Sequence, residues 1–209
     1  AEVVKRLGEY HPTAKLDEMW AARVMATSLP DDIKAGLLDP NRLEATLAML
    51  PVPTAKLLHA CTHTTISPNV VHGGVKTNVI PDSVEIDVDI RTLPGDDSDR
   101  VLHYLHEALG DLADEVEVSA IFNDLSSISP MHKELWGMLQ QRTQVVYPEA
   151  ELLPELIVGG TDSRFFRQKG TIAYGTGLFA PGVDFEQFAS NRRVIDAQGG
   201  AVIDLFASQ

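Results

Sequence analysis

The sequence predicts an α/β fold in two parts: a split βαβ unit lacking its first strand, followed by a parallel α/β fragment. Three observations predict it. Val84, Ile86, Val88 and Ile90 alternate with Glu85, Asp87, Asp89 and Arg91, which is the period of a half-buried strand. Val101, Leu102, Leu105, Ala108, Leu109 and Leu112 then recur with the period of an amphipathic helix. Further on, an apolar run, a Gly-Gly turn, a short helical stretch and a second apolar run follow one another as strand, turn, helix and strand.

Taken in order, the opening Ala1–Tyr10 reads as helix, with Val3, Val4, Leu7 and Tyr10 on one face. Because the pattern begins in mid-helix, the chain is expected to be cut from something longer. Leu16–Ser28 and Asn41–Leu50 are expected to be helices, the latter opened by Asp39 as N-cap and Pro40 at its first position. From Lys56 to Ile66 the composition turns to Thr, His and Cys and is read as a strand. The alternating strand from Val84 to Thr92 ends at Pro94-Gly95, after which Asp96, Asp97 or Ser98 can cap the helix that follows. Val116, Val118 and Ala120 alternate as another strand. A Ser-rich joint, Asn123–Pro130, then leads into a helix from about Met131 to Val146, with Ser129 as a candidate cap. The apolar runs Leu156–Val158 and Thr171–Tyr174 are expected to be strands, with a short helix from Asp162 to Lys169 between them.

Composition narrows the function. The 209 residues include 17 Lys and Arg against 30 Asp and Glu, a formal charge of −13, so no basic surface is available to hold a polyanion and nucleic acid is excluded as a partner. The apolar runs fall short of the roughly 20 residues a membrane helix needs, so no membrane partner is expected. The single cysteine, Cys61, forms no internal disulfide, and the cytoplasm is the expected compartment.

Several groups could carry chemistry. In Gly159-Gly160-Thr161-Asp162 a strand would turn into a helix, leaving backbone N–H groups facing the crevice where α/β sheets bind ligands. Arg164 in the first helical turn can fork onto a carboxylate. The same residues also suit a tight βα turn with an ordinary cap and a solvated arginine. His59, Cys61 and His63 would alternate along one strand face, but residues two apart on a strand are about 6.6 Å apart and the outer two about 13 Å, so all three cannot share one ion at about 2.0 to 2.3 Å, whereas a pair could ligate with help from elsewhere. His103, His106 and Glu107 on one helix, and Glu85, Asp87 and Asp89 on one strand, are read as solvated faces. Nothing matches a nucleophile elbow, a phosphate loop or a two-histidine zinc helix.

The run Gly73-Gly74-Val75-Lys76-Thr77-Asn78-Val79-Ile80-Pro81-Asp82, followed by Asp89-Ile90-Arg91 and Pro94-Gly95, resembles the lid-domain signature of the zinc aminoacylases and carboxypeptidases, peptidase family M twenty. The stretch Gly159–Phe166, with Gly170 and Ala173-Tyr174-Gly175, resembles a second block in that family's catalytic domain. The resemblance implies a lid, or dimerisation, domain of ferredoxin-like split βαβ type over residues 1–124, with a helical insertion at about 11–53. Residues 125–209 would then be the C-terminal portion of an α/β zinc-peptidase catalytic domain. It also implies hydrolysis of N-acyl amino acids or peptides by two zinc ions and a glutamate base, a small-molecule substrate with a carboxylate, and a homodimer through the lid.

Residue by residue, Asn78 matches the lid asparagine that reaches the substrate, Arg164 the arginine that grips its carboxylate, and Gly159, Gly160 and Thr161 the turn beside it. Arg91 matches a family position too, and a structural ion pair is an equal reading of it. The family's first metal histidine, bridging aspartate, base glutamate and oxyanion histidine all precede the matched region. Its last zinc histidine, in a pattern like F-H-G-x-D-E-R, has no counterpart where Phe188-Ala189-Ser190 runs into Asn191-Arg192-Arg193. The chain alone is therefore expected to bind no zinc and to be inactive. A non-catalytic carboxylate-binding module and a dimerisation fragment are the alternatives.

Overall fold

The computed structural model describes residues 1–175 apart from 28, 122, 125, 132, 150, 151 and 153. The expectations for the tail, Phe188–Asp196 among them, lie outside the described residues. Eight α-helices and one two-stranded antiparallel sheet make up the described secondary structure, together with one 3-10 segment. The chain divides into two compact units, residues 1–14 with 63–126 and residues 15–62 with 127–209.

In the first unit, α1 (Glu2–Glu9) and α6 (Ser98–Leu109) lie against β1 (Thr65–Gly73) and β2 (Val84–Arg91). Strand β2 forms where its alternation predicts. Val88 and Ile90 turn inward with Ile66 of β1 onto a core of Leu7, Leu105, Ala108 and Leu109. Each fully buried side chain of this size contributes about 1.5–3 kcal/mol, so this small cluster is what fixes both helices to the sheet. The strands pair from Thr65↔Arg91 to Gly73↔Val84, with a register shift between Pro68 and Val70. Proline has no N–H for the ladder, which is why the irregularity falls there. Asp97 caps α6 by accepting from Arg100 N at 2.9 Å. Asp96 is instead buried, accepting from the Thr64 hydroxyl and from Tyr104 Oη at 3.4 Å. Arg6 holds α1 to the end of α6 through Leu109 O and the Asp111 carboxylate. That hydrogen bond from Arg6 keeps the Asp111 carboxyl below its usual range.

The second unit contains α2 (Glu18–Ala26), α3 (Asp31–Leu37), α4 (Leu43–Leu47), α5 (Val52–Thr62), α7 (Lys133–Val146) and α8 (Ser163–Gln168). Asp17 caps α2 by accepting from Trp20 N at 2.8 Å. Trp20 is 4% exposed and donates its indole N–H to Leu37 O at 2.9 Å, so the largest core side chain is also polar-satisfied. Gly36 lets α3 and α4 meet: a Cβ there would stand 2.1 Å from Thr46 Oγ1. Leu37, Leu43, Leu47 and Leu58 are buried with Trp20 and Val24.

Four expected strands differ. Lys56–Thr62 belongs to helix α5, with β1 beginning only at Thr65. Leu58, Cys61 and Thr62 are its buried residues, the i, i+3, i+4 spacing of one helical face. Val116–Ala120, Leu156–Val158 and Thr171–Tyr174 have no strand assignment. Alternation marks a segment with one half-buried side, but it becomes a strand only with a hydrogen-bonded neighbour. The observed architecture is therefore helices with a small antiparallel sheet, an α+β arrangement, and the parallel α/β fragment does not form among the described residues.

Candidate functional site

The Gly159–Arg164 turn is built locally. Arg164 N donates to Thr161 O at 3.2 Å and Phe165 N to Asp162 O at 3.1 Å, closing the first turn of α8. Asp162 stands at the cap position, yet its side chain makes no capping hydrogen bond. A Cβ added at Gly160 would lie 3.9 Å from Arg164 Nη1, so the guanidinium lies along a turn left open by the missing side chain. The same guanidinium carbon sits 4.7 Å from the Phe165 ring centroid, a cation–π distance. Gly160, Thr161 and Arg164 thus lie together in one turn, with Gly159 preceding them in the chain. Helix α8, however, has only six residues. The dipole of so short a helix contributes little, so the positive charge at this turn is that of Arg164.

Asn78 lies in the first unit, exposed in the turn of the connection between β1 and β2. Val79 N donates to Lys76 O at 3.3 Å, and Gly74, at φ 74°, starts the connection in a conformation open to glycine. Flanking Val75 and Ile80 are 94% and 91% exposed, an arrangement that leaves the tip of this hairpin apolar around one amide. Arg91 pairs with Asp89 at 2.8 Å on the polar face of β2, which is the structural reading of that residue.

Helix α5 replaces strand spacing with helical spacing around the histidines. His59 is in its last turn, and His63 follows the helix directly and is 4% exposed. Within the second unit, a carboxylate oxygen of Glu44 and a ring nitrogen of His59 lie within 4.8 Å of each other. The two-ion centre implied by the family needs a bridging carboxylate and several more donors. Two donors are too few for that centre, so this pair does not fit it. Cys61 is buried with Arg23 Nη1 3.6 Å from its sulfur, and burial pushes its thiol up to about 11, which makes it no nucleophile at neutral pH. His103 pairs with Glu107 at 3.4 Å on an exposed face, as a solvated cluster does.

Sequence reasoning passed over Arg167. Its Nε donates to Ser129 Oγ at 3.2 Å and to Ala173 O at 3.1 Å, its Nη2 to Ala173 O at 2.9 Å and its Nη1 to Ser127 Oγ at 3.3 Å. Its hydroxyl partners lie about forty positions earlier, so no local pattern announces them.

No helix among the described residues is long and apolar enough to cross a membrane. Comparison with known proteins gives one family match, the peptidase dimerisation domain, over residues 13–117. The chain is 33% identical over 121 residues to the N-fatty-acyl-amino acid synthase/hydrolase of Homo sapiens, covering 56% of this chain and 24% of that protein. It is 30% identical over 109 residues to the Xenopus tropicalis protein of the same name, covering 52% and 21%. A probable carboxypeptidase S-like 2 of Dictyostelium discoideum is 25% identical over 115 residues, covering 54% and 22%. The chain thus spans less than a quarter of the length of these relatives. No solved structure matches it. With half its length matched by the dimerisation-domain family and its relatives drawn from the same hydrolases, the chain belongs to peptidase family M twenty.

Proposed function

We propose that the chain is the lid domain, residues 1–124, joined to the C-terminal portion of the catalytic domain, residues 125–209, of a zinc-dependent amidohydrolase acting on N-acyl amino acids or peptides with a free carboxylate. The observation that supports this reading is the Arg164 guanidinium beside Gly160, its Nη1 3.9 Å from where a Cβ would stand. A planar, permanently charged fork there pairs with both oxygens of a carboxylate, while the glycines let a ligand approach the backbone closely. Asn78 supplies a neutral donor and acceptor suited to the scissile amide. The relatives named as N-fatty-acyl-amino acid synthase/hydrolases support an acyl amino acid as the substrate class.

In this reading the chain holds the substrate and does not hydrolyse it, because attack on an amide needs a metal-lowered water pKa and Glu44 with His59 does not make the two-ion centre. Zinc belongs to the parent enzyme and the cytoplasm to its compartment. Titrating an N-acyl amino acid and its carboxamide against wild type and Arg164→Ala tests this. Wild type is expected to prefer the acid by about tenfold or more, the scale of a charge-assisted bidentate pair, and the variant to lose that preference. Equal affinity of the two proteins for the acid would end the reading.

A further inference from the structure

Helix α8 carries Arg164 and buries none of its side chains. Core packing therefore does not fix its rotation about its own axis, and Phe165 and Phe166 are 50% and 59% exposed. What holds it is polar. Arg167 spreads its guanidinium across Ala173 O at 2.9 and 3.1 Å, Ser129 Oγ at 3.2 Å and Ser127 Oγ at 3.3 Å. Ser129 closes the knot, its Oγ donating to Ala173 O at 3.1 Å and accepting from Ala173 N at 3.0 Å. Thr171 N donates back to Phe166 O at 3.1 Å, so the turn after the helix is tied down at both ends. Residues three apart on a helix share a face, so Arg164 and Arg167 stand one above the other, and the second is held by Ser127, Ser129 and Ala173.

We propose that Arg167 is a positioning residue: its fork onto Ala173 O, Ser127 and Ser129 sets the rotation of α8 and so aims Arg164 at the carboxylate. This rests on the reading of Arg164 given above. Only an arginine suits the place. Its donors lie in one rigid plane and reach three acceptors at once, whereas a lysine offers a point charge on a flexible stem. The charge itself is not what is used; its geometry is.

The experiment titrates N-dodecanoylglycine and N-dodecanoylglycinamide against the full chain as wild type, Arg164→Ala, Arg167→Ala, Arg167→Lys and Ser129→Ala, with thermal unfolding recorded for each. Arg167→Ala is expected to weaken the acid by about tenfold while leaving the amide unchanged, the effect of a binding group displaced by a fraction of its reach. Arg167→Lys is expected to behave like Arg167→Ala, and Ser129→Ala to lose about threefold, one acceptor of the knot having gone. A purely structural role would lower acid and amide binding together with the unfolding temperature, and that outcome overturns the proposal. So does full recovery in Arg167→Lys, which would make the effect one of charge. If Arg167→Ala fails to fold, the Ser129→Ala acid-to-amide ratio decides, an unchanged ratio counting against. Where Arg164→Ala abolishes the acid preference and neither the Arg167 variants nor Ser129→Ala alter it, the positioning claim fails alone; where wild type shows no preference, both fall together.

Discussion

Cys61 combines burial, which raises its thiol from 9.0 to about 11, with an Arg23 guanidinium that pulls the other way. Burial wins because the neutral thiol needs no solvation while the thiolate does. The unfolded thiol ionises first as pH rises, so the contribution of this residue to stability is present below about pH 9 and is lost between about 9 and 11. Iodoacetamide is therefore expected to leave Cys61 intact at pH 8 in the native chain and to alkylate it rapidly in urea; equal rates by mass spectrometry would contradict its burial. Arg164 was legible in the sequence because it closes a compact run of glycines and polar residues. Arg167 was not, since its worth lies in Ser127 and Ser129, 40 and 38 residues away.

The elements show which patterns carry structure. Strand β2 and helix α6 form as their periodicities state, and of the three candidate caps for α6 the structure uses Asp97. Asp97→Ala is expected to cost about 1 kcal/mol in urea unfolding, the usual worth of an N-cap; no change would mean that one of the neighbouring polar residues takes over the role. Helix α5 was misread because its threonines, histidines and cysteine favour strands by composition, while its burial at Leu58, Cys61 and Thr62 follows a helical face. That misreading had a consequence for chemistry. His59 stands in the last turn of α5 instead of on a strand face, and His63 follows the helix directly. The three runs at Val116, Leu156 and Thr171 failed for another reason: a short alternating or apolar stretch states that a segment is partly buried but not whether a neighbour is present to pair with.

At the scale of the whole molecule the chain carries a dimerisation domain over residues 13–117 and spans less than a quarter of its relatives. Pairing through the lid is proposed to make it a homodimer, so light scattering should return twice 22.8 kDa; a concentration-independent monomer would count against that. The family itself was legible, because two long motifs stand in the right order. The architecture of the second unit was less so, since the order of its segments was taken for a sheet that the described residues do not form. In the proposed division of labour the chain grips a carboxylate through Arg164, and cleavage of the amide beside it falls to the metal centre of the parent enzyme. Elemental analysis of zinc in the purified, dialysed chain tests this most directly. The account predicts a content near zero per chain, and one or two ions per chain would contradict it.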